Sequence, residues 1–139
     1  MSQEETPPTE AKADRPHEIR SADDVDADTR RGGDVRTVLS PKTVGSTSGF
    51  MGVATIEPGD RISEHYHPYS EEFIYCATGT ITAHLDGEPH EVPARSALYI
   101  PINMKHRLVN DGDEAAFIVF HLGPLAPDPK LGHVDTEQR

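Results

Sequence analysis

The sequence predicts an all-β antiparallel sandwich or barrel, and three observations predict it. From residue 34 onward, short β-branched and apolar runs recur about every ten residues, each bounded by Gly, Pro, Asp or Asn, and no helical period is sustained. Residues 36–40 (RTVLS) and 49–57 (GFMGVATIE) open the domain. After the turn signal Pro58-Gly59-Asp60 come 61–67 (RISEHYH), the turn-like Pro68-Tyr69-Ser70, and 71–78 (EEFIYCAT) ending at Gly79. Residues 80–85 (TITAHL) lead through Asp86-Gly87, a hairpin signal, into 88–93 (EPHEVP). Then follow 97–101 (ALYIP), 105–110 (KHRLVN), a second expected hairpin turn at Asp111-Gly112-Asp113, and 114–122 (EAAFIVFHL).

The flanks read differently. Residues 1–33 combine Pro, Glu, Asp, Thr and Ala with almost no large apolar side chains, too little to offset ordering entropy, and are expected to form a disordered acidic tail. The domain is expected over 34–122, and 123–139, with three prolines, as an irregular extension whose His133 is solvated.

Composition narrows the function classes. A formal net charge of −11 opposes nucleic acid as a partner, because phosphate binding needs a basic footprint. Arg95, Lys105 and Arg107 are the cations placed to form a local basic patch near the site. No apolar run approaches the ~20 residues of a membrane span, and the acidic, polar start lacks the pattern of a secretory signal, so a cytoplasmic location is expected. The single cysteine, Cys76, excludes an internal disulfide and reads as a small buried hydrophobe.

The chemistry-bearing pattern is histidine. His65 and His67, two apart on one strand, share a face and can aim into the interior together. His106 comes from another strand, and imidazoles converging from separate strands suit a first-row divalent ion. His84 and His90 flank the Asp86-Gly87 turn and His17 lies in the tail, so none of these three is a candidate.

At this point the residues resemble a known family. Gly59-x5-His65-x-His67-x4-Glu72-x6-Gly79 matches the first cupin signature at every defined position. The second signature is met at Pro101, His106 and Asn110, with Arg95 and Asn103 where glycines are usual. The resemblance implies a cupin double-stranded β-helix, a jelly-roll β-sandwich. It nominates Glu72 as a ligand, and the shared parity of Glu72, Ile74 and Cys76 turns that side chain inward. A hairpin loop over Asp111–Glu114 would instead set His121 beside His106, one diagonal step along the sheet. Three imidazoles with Glu72, or four imidazoles with Glu72 as acid or base beside the metal, are both open; the reading adopted is His65, His67, His106 and His121 as ligands and Glu72 as the catalytic carboxylate. Phe50, Met51, Ile74, Met104, Leu108 and Phe117 are the expected apolar wall.

Longer phrases at 39–54, 64–75, 100–110 and 119–137 are similar to the single-domain cupin cyclases of bacterial aromatic polyketide pathways, of the tetracenomycin and spore-pigment type. That resemblance implies a poly-β-ketone substrate carried on an acyl carrier protein, one divalent metal ion with zinc before Fe(II), Ni or Mn, metal-assisted intramolecular aldol cyclisation, and a homodimer. Two alternatives stand beside it: an Fe(II)-dependent oxygenase acting on an aromatic polyketide, and a non-catalytic metal-containing accessory protein of a synthase.

Overall fold

Alternation and turn chemistry place the chain's strands as the sequence predicts. The computed structural model describes residues 17–137. In chain order the strands are β1 (Asp34–Leu39), β2 (Phe50–Ile56), β3 (Arg61–Tyr66), β4 (Glu71–Thr78), β5 (Thr80–Leu85), β6 (Glu88–Pro93), β7 (Ala97–Ile100), β8 (His106–Val109), β9 (Ala116–Gly123) and β10 (Val134–Asp135). Among the described residues they form two five-stranded antiparallel sheets, ordered β1-β2-β9-β4-β7 (sheet A) and β10-β3-β8-β5-β6 (sheet B). The inner faces meet over Ile56, Ile74, Ile81, Ile100, Leu108 and Ile118, each almost fully buried, so apolar burial holds the sheets together. No helix of the described residues is long and apolar enough to cross a membrane.

One expected hairpin is a crossover. Asp86-Gly87 does turn β5 back on β6, with φ of 50° and 89° and Leu85 opposite Glu88. The Asp111–Glu114 segment instead carries the chain from sheet B to sheet A. Fully buried Asn110 makes that crossing possible: its amide donates to the carbonyls of Ile56 and Glu114, 2.8 Å each, and its oxygen accepts from the Gly112 N–H at 3.0 Å. Side-chain bonds thus replace a ladder, and the sequence cue for a tight turn reads the same in both cases.

A bulge decides what β3 presents. Strict alternation from buried Ile62 would turn His65 outward. The pairing of β3 with β8 shifts register between Ile62 and His65, and the freed Ser63 N–H donates to the Arg31 carbonyl at 2.8 Å. The extra residue changes the parity, so Ile62 and His65 both face in.

The flanks are more structured than their composition suggests. Residues 1–16 of the expected tail lie outside the described residues, and His17 is exposed. Ser21 caps a 3₁₀ turn at Ala22–Asp24, Asp28 bridges to Val35, and the Arg36 guanidinium donates to the carbonyls of Ala22 and Val25. Near the other end, β10 pairs Asp135 with His65 and Val134 with Tyr66. Arg31 to Asp135 and Arg61 to Glu137, 2.8 Å each, clip the two ends onto sheet B. Polar anchors of this kind leave no hydrophobic period to read.

Four turn positions test the signature glycines. Gly59 and Gly79 have φ of 84° and 77°, and a Cβ at Gly79 would sit 2.6 Å from the Ala115 carbonyl oxygen. Arg95 and Asn103 both have φ of 72°, so the left-handed turns are kept without glycine. A left-handed non-glycine residue costs roughly 1–2 kcal/mol, less the ~0.4–1 kcal/mol of unfolded-chain entropy that a glycine adds. Arg95 is exposed. Arg95→Gly is therefore expected to stabilise the fold by about 0.5 kcal/mol, seen as a higher urea midpoint at unchanged m.

Candidate metal centre

Three strands deliver the donor atoms. β3 supplies His65 and, just beyond its end, His67; β8 places His106 directly opposite His65; β4, from the other sheet, aims Glu72 across the gap. All four side chains are buried, and their ligand atoms lie within 4.8 Å of one another.

Each ring is locked by a backbone carbonyl. Nδ1 of His65 donates to Ser63 O at 2.7 Å, His67 to Gly132 O at 2.9 Å and His106 to Met104 O at 2.9 Å. A carbonyl can only accept, so Nδ1 carries the proton and each neutral ring keeps a lone pair on Nε2. Glu72 Oε1 lies 3.0 Å from His106 Nε2 and 3.3 Å from His67 Nε2. Glu72 Oε1 and His106 Nε2 are nonetheless buried without a hydrogen-bond partner. Acceptors facing acceptors in an apolar interior repel unless a cation lies between them, and this donor set fits a divalent ion.

The electrostatics carry the same signature. Burial alone would raise the Glu72 pKa, but the imidazoles of His106 and His67 outweigh it and hold the carboxyl well below the usual range. Burial would lower His106, yet Glu72 raises it. His65, pushed down to about 2 by burial and then by His106 and His133, stays neutral and available as a ligand. A positive charge between Glu72 and His106, whether a proton or a metal ion, is therefore favoured.

His121 is not part of this centre. It lies opposite Met51 on β2 and Phe73 on β4, and Ala116, Ile118, Phe120 and Leu122 take the inward positions of β9, so the His121 ring is exposed on the outer face of sheet A. Its expected approach to His106 needed β8 and β9 to pair, and they belong to different sheets. Phe117 and Met51 share its parity and are exposed rather than wall residues. A cavity of about 150 Å³ opens beside the donors, walled by Phe50, Ile62, Leu108, Ile118, Phe120 and Leu122. Of the expected cations, Arg107 pairs with Glu137, and neither it, Arg95 nor Lys105 lines the cavity.

The cupin domain family matches residues 52–122, a span that holds all four donors. The chain belongs to the cupin family. Among its relatives, polyketide synthase CurC of Streptomyces cyaneus is 60% identical over 114 residues, covering 82% of this chain and 74% of CurC. The tetracenomycin polyketide synthase protein TcmJ of Streptomyces glaucescens is 43% identical over 108 residues, covering 78% of this chain and 72% of TcmJ. The crystal structure of the polyketide cyclase RemF from Streptomyces resistomycificus superposes with a TM-score of 0.70 at 17% identity, over 89% of this chain and 88% of RemF, a likeness of fold.

The cupin's mouth comes from outside the matched span. His133 is not solvated: its ring stacks on His65, with centroids 4.3 Å apart and planes 14° from parallel, and it lines the cavity with Asp28 and Arg31. Burial, then Arg31 and His67, lower its pKa to about 4. Asp135 joins His133 Nε2 at 3.1 Å to the Arg31 guanidinium at 2.8 Å. Sequence reasoning missed these groups because carbonyls carry no residue signature and β10 is two residues long; the alternation of His133 with Asp135 was the available cue.

Arg31 touches both supports of the donor set. Its carbonyl holds Ser63, which holds His65; its side chain holds Asp135 beside His133 and the Gly132 carbonyl that orients His67. Loss of such outer support typically costs about 10–100-fold in metal affinity. Arg31→Ala is expected to weaken Zn²⁺ binding by about tenfold, measured by calorimetric titration into metal-free protein, with the thermal transition still cooperative.

Proposed function

We propose that this cupin is a metal-dependent polyketide cyclase that closes a ring in a poly-β-ketone chain by intramolecular aldol condensation and aromatisation. One observation carries the reading: buried acceptor atoms of His65, His67, His106 and Glu72 converge at an apolar cavity, in a chain most of whose length is similar to polyketide synthase proteins. In this reading His65, His67 and His106 hold the ion with Glu72 Oε1 in the fourth position, replacing His121. The ion, zinc by preference for a nitrogen-rich set without redox work, supplies Lewis-acid polarisation of a ketone oxygen when bound.

The chain's own residues do the rest. Methylenes between two carbonyls are acidic, and Glu72 is the one carboxylate of the donor cluster, which makes it the group proposed to take such a proton. Phe50, Phe120, Leu122 and Ile118 exclude water and confine a flexible chain so that one methylene meets one carbonyl. Such positioning supplies several kcal/mol of a barrier, up to about 7–11 in well-oriented intramolecular reactions. The substrate is proposed to arrive on an acyl carrier protein, with its reacting segment in the cavity.

His65→Ala and His106→Ala are expected to bring metal content to background by elemental analysis and to abolish directed ring closure alongside a minimal synthase, while the β-sheet circular dichroism persists. Wild-type product from metal-free protein would end the Lewis-acid reading, and stoichiometric oxygen uptake would turn it toward the oxygenase. Glu72→Gln separates two roles of one side chain. Metal retained with turnover lowered by about 10²–10⁴ marks it as the base, whereas metal lost with turnover marks it chiefly as a ligand.

A further inference from the structure

The strand that delivers His65 and His67 also holds the end of the chain. From Asp128, whose side chain caps a 3₁₀ turn at Pro129–Leu131, the backbone comes to lie along β3, with Val134 opposite Tyr66 and Asp135 opposite His65. The Thr136 N–H donates to the Glu64 carbonyl at 3.0 Å, and the Glu137 carboxylate accepts from the Glu64 N–H at 2.7 Å and from Arg61 at 2.8 Å. Arg31 adds its ion pair with Asp135. No described residue after Leu122 is buried, so these polar contacts hold the segment without an apolar anchor. A segment held in this way belongs to the low-stability end of a fold and opens while the sandwich stays closed.

The same segment grips two of the donor rings. The Gly132 carbonyl accepts from His67 Nδ1 at 2.9 Å. The His133 ring stacks on His65 at 4.3 Å and meets His67 edge-on at 5.1 Å. His106 is fixed from Met104 instead. Two of the three imidazoles therefore take their orientation from contacts that vanish when the chain end leaves β3. His67 is the more dependent, because it lies beyond the last residue of that strand.

We propose that residues 128–137 form a strap that docks and lifts as a unit, and that a metal ion on the donor cluster locks it down. This rests on the metal-centre reading above. An ion shared by the donors favours the ring orientations the strap needs, and the docked strap favours the orientations the ion needs. Coupling of this kind is reciprocal: the factor the ion adds to docking is the factor docking adds to ion affinity, ordinarily about 5–150-fold. A lifted strap also takes His133 out of the cavity wall and Asp135 away from Arg31, so it is the side on which a ligand enters and leaves.

Lys130 makes the strap its own reporter. It is exposed on the 3₁₀ turn, and trypsin cuts after a lysine only where the chain can be drawn out extended. Full-length protein freed of metal with a chelator is compared with the same protein loaded with Zn²⁺, and each cut is located by mass spectrometry. In the metal-free protein, cleavage after Lys130 is expected ahead of any cut within β1–β9, and Zn²⁺ is expected to slow it by about tenfold. Hydrogen exchange at the Thr136 amide should slow by a similar factor. Glu137→Ala removes a strap anchor that touches none of the donors, and is expected to speed cleavage after Lys130 and to weaken Zn²⁺ binding about tenfold by calorimetric titration. Glu91→Ala, on the outer face of the same sheet but away from the strap, should change neither. A wild type that takes up no Zn²⁺ ends the metal reading and this one with it. Zn²⁺ that binds without slowing cleavage after Lys130, or a folded Glu137→Ala protein of wild-type affinity, overturns the coupling and leaves the metal site standing.

Discussion

The structure turns on a conflict between like groups. Four hydrogen-bond acceptors are buried beside the cavity within 4.8 Å of one another, and three are fixed there by carbonyls of Ser63, Gly132 and Met104 that accept from Nδ1 and leave Nε2 as the free acceptor. Nothing in the protein satisfies Glu72 Oε1 or His106 Nε2 among the described residues. Burial makes such a cluster costly, by about 1–3 kcal/mol for each unsatisfied group, and the sandwich around it must be stiff enough to keep the atoms from parting. The isoleucine-rich contact between the sheets supplies that stiffness, so the core serves the site as much as the fold.

Much of this was legible in the sequence, for reasons that can be stated. Spacing two residues apart on a strand puts His65 and His67 on one face, and parity along β4 turns Glu72 inward with Ile74 and Cys76. What escaped is what spacing cannot encode. Whether Asp111–Glu114 closes a hairpin or crosses between sheets depends on the long-range bonds of Asn110 to Ile56, and from that one difference follows the outward position of His121. The bulge at Ser63 is satisfied by a carbonyl at Arg31, in a segment whose composition reads as unstructured. Local patterns revealed faces, and distant polar contacts set registers.

The strand β9 presents apolar side chains on both faces of sheet A. Ile118, Phe120 and Leu122 wall the cavity, while Phe117, Val119 and His121 stand on the outer face beside Met51, Phe73 and Tyr75. A strand apolar on both sides reads as a continuous hydrophobic run, as 115–120 does, and such a run usually marks a strand covered on both faces. Here the inner cover is the opposite sheet.

The division of labour along the chain bears on chemistry. The donors and most of the apolar wall lie within the span that matches the cupin domain, and a donor set of this type is compatible with several reactions, so it cannot by itself choose among them. The mouth is different. Asp28, Arg31 and His133 come from flanking segments outside that span, and the salt bridge of Arg31 with Asp135 and the stacking of His133 on His65 hold them beside the donor cluster. The donor cluster therefore resides in the sheet interior and the rim of its cavity in the clasped ends, and the contact between Arg31 and Asp135 is where the two meet.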